Sequence, residues 1–326
     1  NIFLLHRDVP PELKLNKTTM IPKSENPAIG DWRPITIASL VDRLFGKILE
    51  ARLSRVLRLD PNQRGFIRTL DGCGENITAY SGALRYARAN YRPIVIASLD
   101  LAKAFDSVRH DTIRRALTRL GVDNWSVKLL MNLCRGQSTS IEHTGGVQQI
   151  KLLKGVRQGW PLSPVLFLAV VDELLCSLKE ADGFKVTGLA GETATLTGIA
   201  FADDVILYSS SIDGMRRSVD IASEWCERRK MAINARKSTV LCLRRVPKAK
   251  KIVFDQNVVV TVKGTPIPIA EGAQRVLGVH MNYTGKVDHK ADKLAKDLEL
   301  VCGSRLRPTQ KVAMIRECLI PMIEFR

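Results

Sequence analysis

Apolar and polar positions recur along this chain with two periods, and the period changes where the elements change. Pro93-Ile94-Val95-Ile96-Ala97-Ser98-Leu99 is a near-continuous apolar run, as expected of a strand buried on both faces, and it delivers Asp100 at its C-terminal end. Between Ile199 and Tyr208, two short runs rich in β-branched and aromatic residues flank Asp203-Asp204, which predicts strand, tight turn, strand. Helical spacing marks residues 40–57, with Leu40, Val41, Leu44, Phe45, Ile48 and Leu49 apolar and Arg and Lys on the other face. Further helices are predicted at 110–120, 125–134, 162–181 (entered through Pro161 and Pro164) and 214–231. Predicted β segments are 148–153, 239–243, 251–262 and 275–281. After Gly285, Val287, Ala291, Leu294 and Leu298 lie at helical spacing and another helix starts near Pro308, so the C-terminal part reads as a small helical unit. Alternation of strands and helices in one region indicates α+β or α/β.

The acidic pair brings in chemistry. Two like charges about 4 Å apart repel by about 4 kcal/mol at an effective dielectric of ~20. A divalent cation reverses that sign, and hard oxygen donors suit Mg²⁺. Asp is also a common turn residue, so the dipeptide alone favours a solvated hairpin turn. If the strand ending at Asp100 pairs with the one after Asp203, three carboxylates face one another, as in two-metal phosphoryl transfer. Between these acidic segments, Gly155-Val156-Arg157-Gln158-Gly159 combines two glycines, which permit positive φ or close backbone approach, with a side chain that both donates and accepts.

Taken in order, Asp100-Leu101-Ala102-Lys103-Ala104-Phe105-Asp106, then Gly155 to Pro164, then Phe201-Ala202-Asp203-Asp204 resemble the motif set of reverse transcriptases. Ile21-Pro22-Lys23 and Trp32-Arg33-Pro34-Ile35 upstream, with Asn234-Ala235-Arg236-Lys237-Ser238 and Leu277-Gly278 downstream, extend the likeness to nearly the whole chain. It is closest to non-LTR (LINE-type) retrotransposons. Gln63-Arg64-Gly65-Phe66 and Asp71-Gly72-Cys73 resemble the early-branching, site-specific clade that inserts into ribosomal RNA genes. One position departs: Trp160 stands where the family usually has an acidic residue.

The resemblance implies an α+β right-hand polymerase, with fingers at 1–90 and 110–158, palm at 91–109 and 159–283, and the start of a thumb at 284–326. It implies an RNA-directed DNA polymerase extending a DNA 3′-hydroxyl on a retrotransposon RNA template, target-primed, with two Mg²⁺ ions (or Mn²⁺ in their place). Its implied partners are an RNA template, a DNA primer or target DNA and deoxynucleoside triphosphates, and its implied location is the nucleus. Asp100, Asp203 and Asp204 become the metal ligands. Phe105 lies under the incoming sugar, Gln158 and Gly159 contact nucleotide and template, Lys23 and Arg33 hold the triphosphate, and Lys237 protonates the departing pyrophosphate. Leu277-Gly278 becomes the turn that grips the primer end. The competing readings are a catalytically silent RNA-binding domain, a metal-dependent nuclease, and a group II intron-type maturase.

Composition agrees with a polyanionic partner. Fifty Lys and Arg against 33 Asp and Glu leave a net charge of +17, and neutralising phosphates releases counterions. An anionic membrane surface is the alternative partner, but no apolar stretch is long enough to span a bilayer. Arg244-Arg245-Val246-Pro247-Lys248-Ala249-Lys250-Lys251 fits a nucleic-acid contact, an import signal or an exposed basic loop. The seven cysteines are scattered without C-x-x-C spacing, and read as reduced core residues. A start at Asn1 and an end inside an expected helix read as a segment of a longer polypeptide.

Overall fold

The computed structural model describes residues 9–28, 31–188, 190–246, 249–270, 273–285 and 291–320. The first half contains β1 (Leu15–Pro22), β2 (Trp32–Ile37), α1 (Leu40–Val56), α2 (Gly72–Ala89), β3 (Ile94–Asp100), α3 (His110–Arg119), α4 (Asn124–Cys134), β4 (Ser138–His143) and β5 (Gly146–Lys151). Next come α5 (Ser163–Leu178), β6 (Phe184–Thr187), β7 (Thr193–Leu196), β8 (Gly198–Phe201), β9 (Asp204–Ser209), α6 (Ile212–Arg228) and β10 (Thr239–Arg245). The chain continues through β11 (Ile252–Phe254), β12 (Thr261–Val262), β13 (Thr265–Pro266), β14 (Ala273–Val276) and β15 (Val279–Asn282). It then enters α7 (Ala291–Gly303) and α8 (Pro308–Met314), which runs on into a π-helical turn, Ile315–Leu319.

Two sheets organise these elements. A five-stranded antiparallel sheet has the order β11-β10-β3-β9-β8, and a four-stranded mixed sheet the order β2-β1-β4-β5. The continuous apolar run of β3 has a direct cause. Val95, Ala97 and Leu99 enter one core with α5 and α6, while Ile94 and Ile96 enter a second core with Tyr80, Leu84 and Ala87 of α2 and Val276, Val279 and Met281 of the β14–β15 hairpin. Val205 and Leu207 of β9 join the first core, Ile206 and Tyr208 the second. Both faces of the central strands are therefore covered, although all the pairings are antiparallel.

Several expectations need correction. Residues 251–262 are not one strand: only Ile252–Phe254 and Thr261–Val262 pair, in separate sheets. The helix expected over 162–181 ends at Leu178. In α1 the face turned inward carries Asp42, Gly46 and Leu53, while Leu40, Val41, Leu44 and Ile48 are exposed. The inward face combines Leu53 and the half-buried Phe45 and Leu49 with an ion pair and a close approach, described below. Cys134, Cys226 and Cys242 are buried as expected, but Cys302 and Cys318 are exposed; all seven are free thiols. In the basic run, Pro247 and Lys248 lie outside the described residues, as does Val287. Among the described residues no helix is long and apolar enough to cross a membrane.

Candidate active site

The centre of the five-stranded sheet brings the acidic residues together. β3 pairs antiparallel with β9 in a register that sets Asp100 opposite Asp204. β8 and β9 form a hairpin in which Phe201 pairs with Asp204, so Ala202 and Asp203 make the turn between them. Ala202 takes a left-handed backbone (φ 56°), a conformation that costs an L-residue roughly 1–2 kcal/mol. The turn holds it through an amide hydrogen bond to Gln63 Oε1 at 3.0 Å. The end of β3 is fixed as well. Asp100 N donates to Ser238 Oγ at 3.1 Å, and Asn234 N donates to Asp100 O at 2.8 Å.

This crowding perturbs the carboxyls. Burial raises the pKa of Asp203, with the Asp100 charge adding to it. Asp204 is pushed up to about 6, first by burial, then by the Asp203 and Asp100 charges, with Arg275 pulling the other way. The protonated form of Asp204 is thus favoured in the folded protein. The stability it contributes is present below the unfolded value near 4 and is lost as pH rises through about 6. Asp204→Asn is therefore expected to raise the melting temperature of the metal-free protein at pH 7.5 by about 1–3 °C, solvent screening keeping the gain near 1 kcal/mol. Calorimetry in chelator at pH 5 and 7.5 checks this, since the gain should shrink at the lower pH; a loss of stability at pH 7.5 would refute it.

The donor set fits a hard divalent cation. It consists of carboxylate oxygens only, crowded enough to repel one another. Among the described residues no group of three or more His, Cys, Asp or Glu is placed so that it could hold a metal ion by itself. Such a partial set matches Mg²⁺, which keeps several waters and takes one or two carboxylates together with substrate phosphates.

Beside the carboxylates, the glycine loop closes onto the turn that follows β3. Val156 N donates to Phe105 O at 2.8 Å and Gly155 N to Val108 O at 2.7 Å. Gly155 has φ 86°, and a Cβ there would lie 3.0 Å from Asp106 O. Gly159 has φ 105°, and a Cβ there would meet Thr36 O of β2 at 2.8 Å, while Thr36 N donates to Gln158 O at 2.7 Å. The loop is thereby fastened to both sheets. Gln158 is half-buried and donates through Nε2 to Asp106 Oδ1 at 3.2 Å. The half-buried Phe105 ring stacks on Phe167 of α5, with centroids 4.6 Å apart.

The departure at Trp160 has a structural explanation. Trp160 and Arg157 are both buried and both end on Asp42 of α1. Trp160 Nε1 donates to Asp42 Oδ1 at 3.1 Å, Arg157 pairs with Asp42 Oδ2 at 2.8 Å, and the guanidinium lies 4.1 Å from the indole centroid. A Cβ on Gly46 would sit 3.0 Å from Trp160 Nε1, so glycine lets α1 approach this closely without displacing the indole. Arg157 also donates to Asn16 Oδ1 of β1 at 2.6 Å. Trp160 thus belongs to the scaffold behind the loop.

The remaining candidates stand apart. Arg33, on β2, and Lys23, just past β1, are exposed at the loop end of that hairpin, where Lys23 N donates to Asp31 O at 2.9 Å. Lys237 is exposed in the segment that caps β3. Among the described residues none of the three makes a hydrogen bond or ion pair to Asp100, Asp203 or Asp204. Leu277 (φ 47°) and Gly278 (φ 87°) form the turn between β14 and β15. Asp42, Arg275 and the supporting role of Gln63 were not singled out in the sequence. The first two carry no local spacing signal, and Gln63 was noticed only within a motif.

Comparison with known proteins adds a second line of observation. The family model described as reverse transcriptase (RNA-dependent DNA polymerase) matches residues 21–281. The chain is 34% identical to the retrovirus-related Pol polyprotein of the type-1 retrotransposable element R2 of Popillia japonica, over 99% of this chain and 45% of that protein. Against the R2DM element protein of Drosophila melanogaster it is 32% identical over 99% of this chain and 30% of that protein. The chain thus spans less than half the length of these relatives. Among solved structures, apo telomerase from Candida tropicalis matches with a TM-score of 0.57 at 13% identity, over 86% of this chain and 56% of that one. Telomerase from Candida albicans in complex with a telomeric RNA fragment matches with a TM-score of 0.57 at 11% identity, over 97% and 55%. At such identities the likeness is one of fold.

Proposed function

The chain belongs to the reverse transcriptase family and is an RNA-directed DNA polymerase domain, and from that premise we propose that it extends the 3′-hydroxyl of a nicked target DNA on the RNA of an R2-type retrotransposon. Members of the family act on an RNA template and DNA with a divalent metal. The observation that carries the reading is the β3–β9 register, which sets Asp100 opposite Asp204 with Asp203 at the turn. The five-stranded sheet is then the palm, the four-stranded sheet with α1 to α4 the main part of the fingers, and α7 and α8 the start of a thumb. The element RNA, genomic DNA at a nick and deoxynucleoside triphosphates are the substrates, which places the work in the nucleus.

Asp100, Asp203 and Asp204 would hold the divalent cations. When bound, these supply charge neutralisation at the phosphates and activation of the attacking hydroxyl. The chain's own residues do the positioning that dominates phosphoryl transfer. The loop Gly155–Gly159, tied to both the Phe105 turn and β2, holds the nascent pair between fingers and palm. Gln158 presents an amide to it, and the hairpin turn at Leu277-Gly278 lets the primer backbone approach closely. Exposed Lys23 and Arg33 offer cations to the triphosphate, and Lys237 an ammonium to the leaving pyrophosphate. Trp160 supports the loop from behind through Asp42 and Arg157. The presence of all three aspartates, with Asp100 opposite Asp204 in register, favours an enzyme over a silent binding platform. Primer extension on an annealed RNA template, with Mg²⁺ and the four deoxynucleotides, tests the assignment.

Phe105 provides a finer test. Its ring, clamped on Phe167, forms the floor beside the glycine loop and is proposed to exclude a ribose 2′-hydroxyl. Phe105→Val is expected to raise ribonucleotide incorporation relative to deoxynucleotide by at least about tenfold, or 1.4 kcal/mol. A purely structural aromatic, truncated, would instead cost about 3–5 kcal/mol of stability and affect every substrate alike. Matched kcat/KM values with thermal melting decide, and an unchanged ratio in a folded, active variant removes Phe105 from the site.

A further inference from the structure

We infer that Gln63 is a positioning residue for the acidic turn, an inference that rests on the polymerase reading above. Residues 62–65 run parallel to β8 as an added edge: Ala200 N donates to Asn62 O at 2.8 Å, Arg64 N donates to Ala200 O at 3.0 Å, and Gln63 bridges Ala200. From this strap the Gln63 side chain, with no solvent exposure, reaches the turn. Its Oε1 accepts two backbone N–H bonds at 3.0 Å each, from Gly65 of the strap and from Ala202 of the turn. Ala202 is the residue with the left-handed backbone, directly before Asp203 and Asp204. One buried oxygen therefore couples the strap to the conformation that aims both carboxylates.

The surroundings make this coupling stiff. A Cβ on Gly65 would lie 2.4 Å from Ala202 N, so the strap backbone packs directly on the turn. Asn76 of α2 donates to Ala200 O at 3.1 Å and accepts from Arg64 at 3.2 Å, which ties the same strap to the second core. At the other end Asp60 N donates to Asp172 Oδ1 at 2.5 Å, anchoring the strap on α5. By contrast Gln63 Nε2 has no hydrogen-bond partner among the described residues. The geometry uses the amide as an acceptor, at the expense of an unpaired buried nitrogen.

That asymmetry sets the test. Gln63→Met keeps length and apolar volume but removes the acceptor, leaving the Ala202 and Gly65 N–H groups unpaired. Expected are a fall of at least about 30-fold in the single-turnover rate of nucleotide addition and about tenfold weaker Mn²⁺ binding, read by electron paramagnetic resonance without nucleic acid. Template–primer affinity should stay within about threefold, because the basic surface supplies it. Gln63→Glu retains the acceptor but sets another buried carboxyl beside the acidic turn, so it should recover the rate only in part. A merely structural glutamine would lower the active fraction while leaving rate per active site and Mn²⁺ affinity unchanged. Wild-type values for Gln63→Met overturn the inference. If the Met variant does not fold, Gln63→Asn, which withdraws the acceptor by one methylene, carries the same expectations and the same refutation. A wild-type chain that extends no primer would refute the polymerase reading, and the Mn²⁺ measurement would then decide the role of Gln63 separately.

Discussion

Asp203→Asn and Asp100→Asn are each expected to reduce primer extension below about a hundredth of wild type, a loss of at least about 2.7 kcal/mol in transition-state stabilisation. Both substitutions keep shape but remove a negative charge from the face where β3 meets β9. In the proposed mechanism that charge holds the divalent cations, and nothing nearby replaces it. Binding of the template–primer should change little, because the net charge of +17 rather than the acidic face attracts the nucleic acid. Affinity in wild type and variants should fall steeply and in parallel with salt. Extension above a hundredth of wild type in either folded variant would remove that residue from the site.

The second large effect lies behind the glycine loop. Asp42→Ala strands the Arg157 guanidinium, only 7% exposed as a residue, and leaves the Trp160 indole N–H without its acceptor. Breaking a buried pair in this way costs about 3–5 kcal/mol. For a chain of this size that corresponds to a fall of about 10 °C in melting temperature. Arg157→Met combined with Asp42→Leu should recover much of the loss, since the cost comes from an unpaired buried charge rather than from the absence of an ion pair. A single Asp42→Ala variant that melts within about 2 °C of wild type would contradict the arrangement.

The two cases differ in how far the sequence exposes them. Asp100 and the Asp203-Asp204 turn were legible because strand periodicity is local and the turn interrupts it within ten residues. The inference that their strands pair needed only one long-range assumption, and the register confirms it. The pairing of Asp42 with Arg157 spans 115 residues and of Asp42 with Trp160 spans 118, and no local period reports such contacts. Helical spacing therefore predicted a helix over residues 40–57 but not its inward face, because an acid neutralised from elsewhere and a glycine at a tight crossing took the core positions. Helix α2 was not anticipated at all. It begins Gly72-Cys73-Gly74, residues poor in helix propensity, and relies on the Asp71 cap and on burial of Tyr80, Leu84 and Ala87. The strap at Gln63 was visible only as part of a motif. Its function depends on a backbone amide 139 residues away.

The measurement closest to the central claim is extension of a DNA primer annealed to an RNA template by this chain, with Mg²⁺ and the four deoxynucleotides, beside Asp203→Ala prepared identically. Expected are template-length DNA from the wild-type chain, none without divalent metal, and less than about a hundredth as much from the variant. No product from a folded wild-type chain that binds the template–primer, or equal product from Asp203→Ala, would contradict that claim.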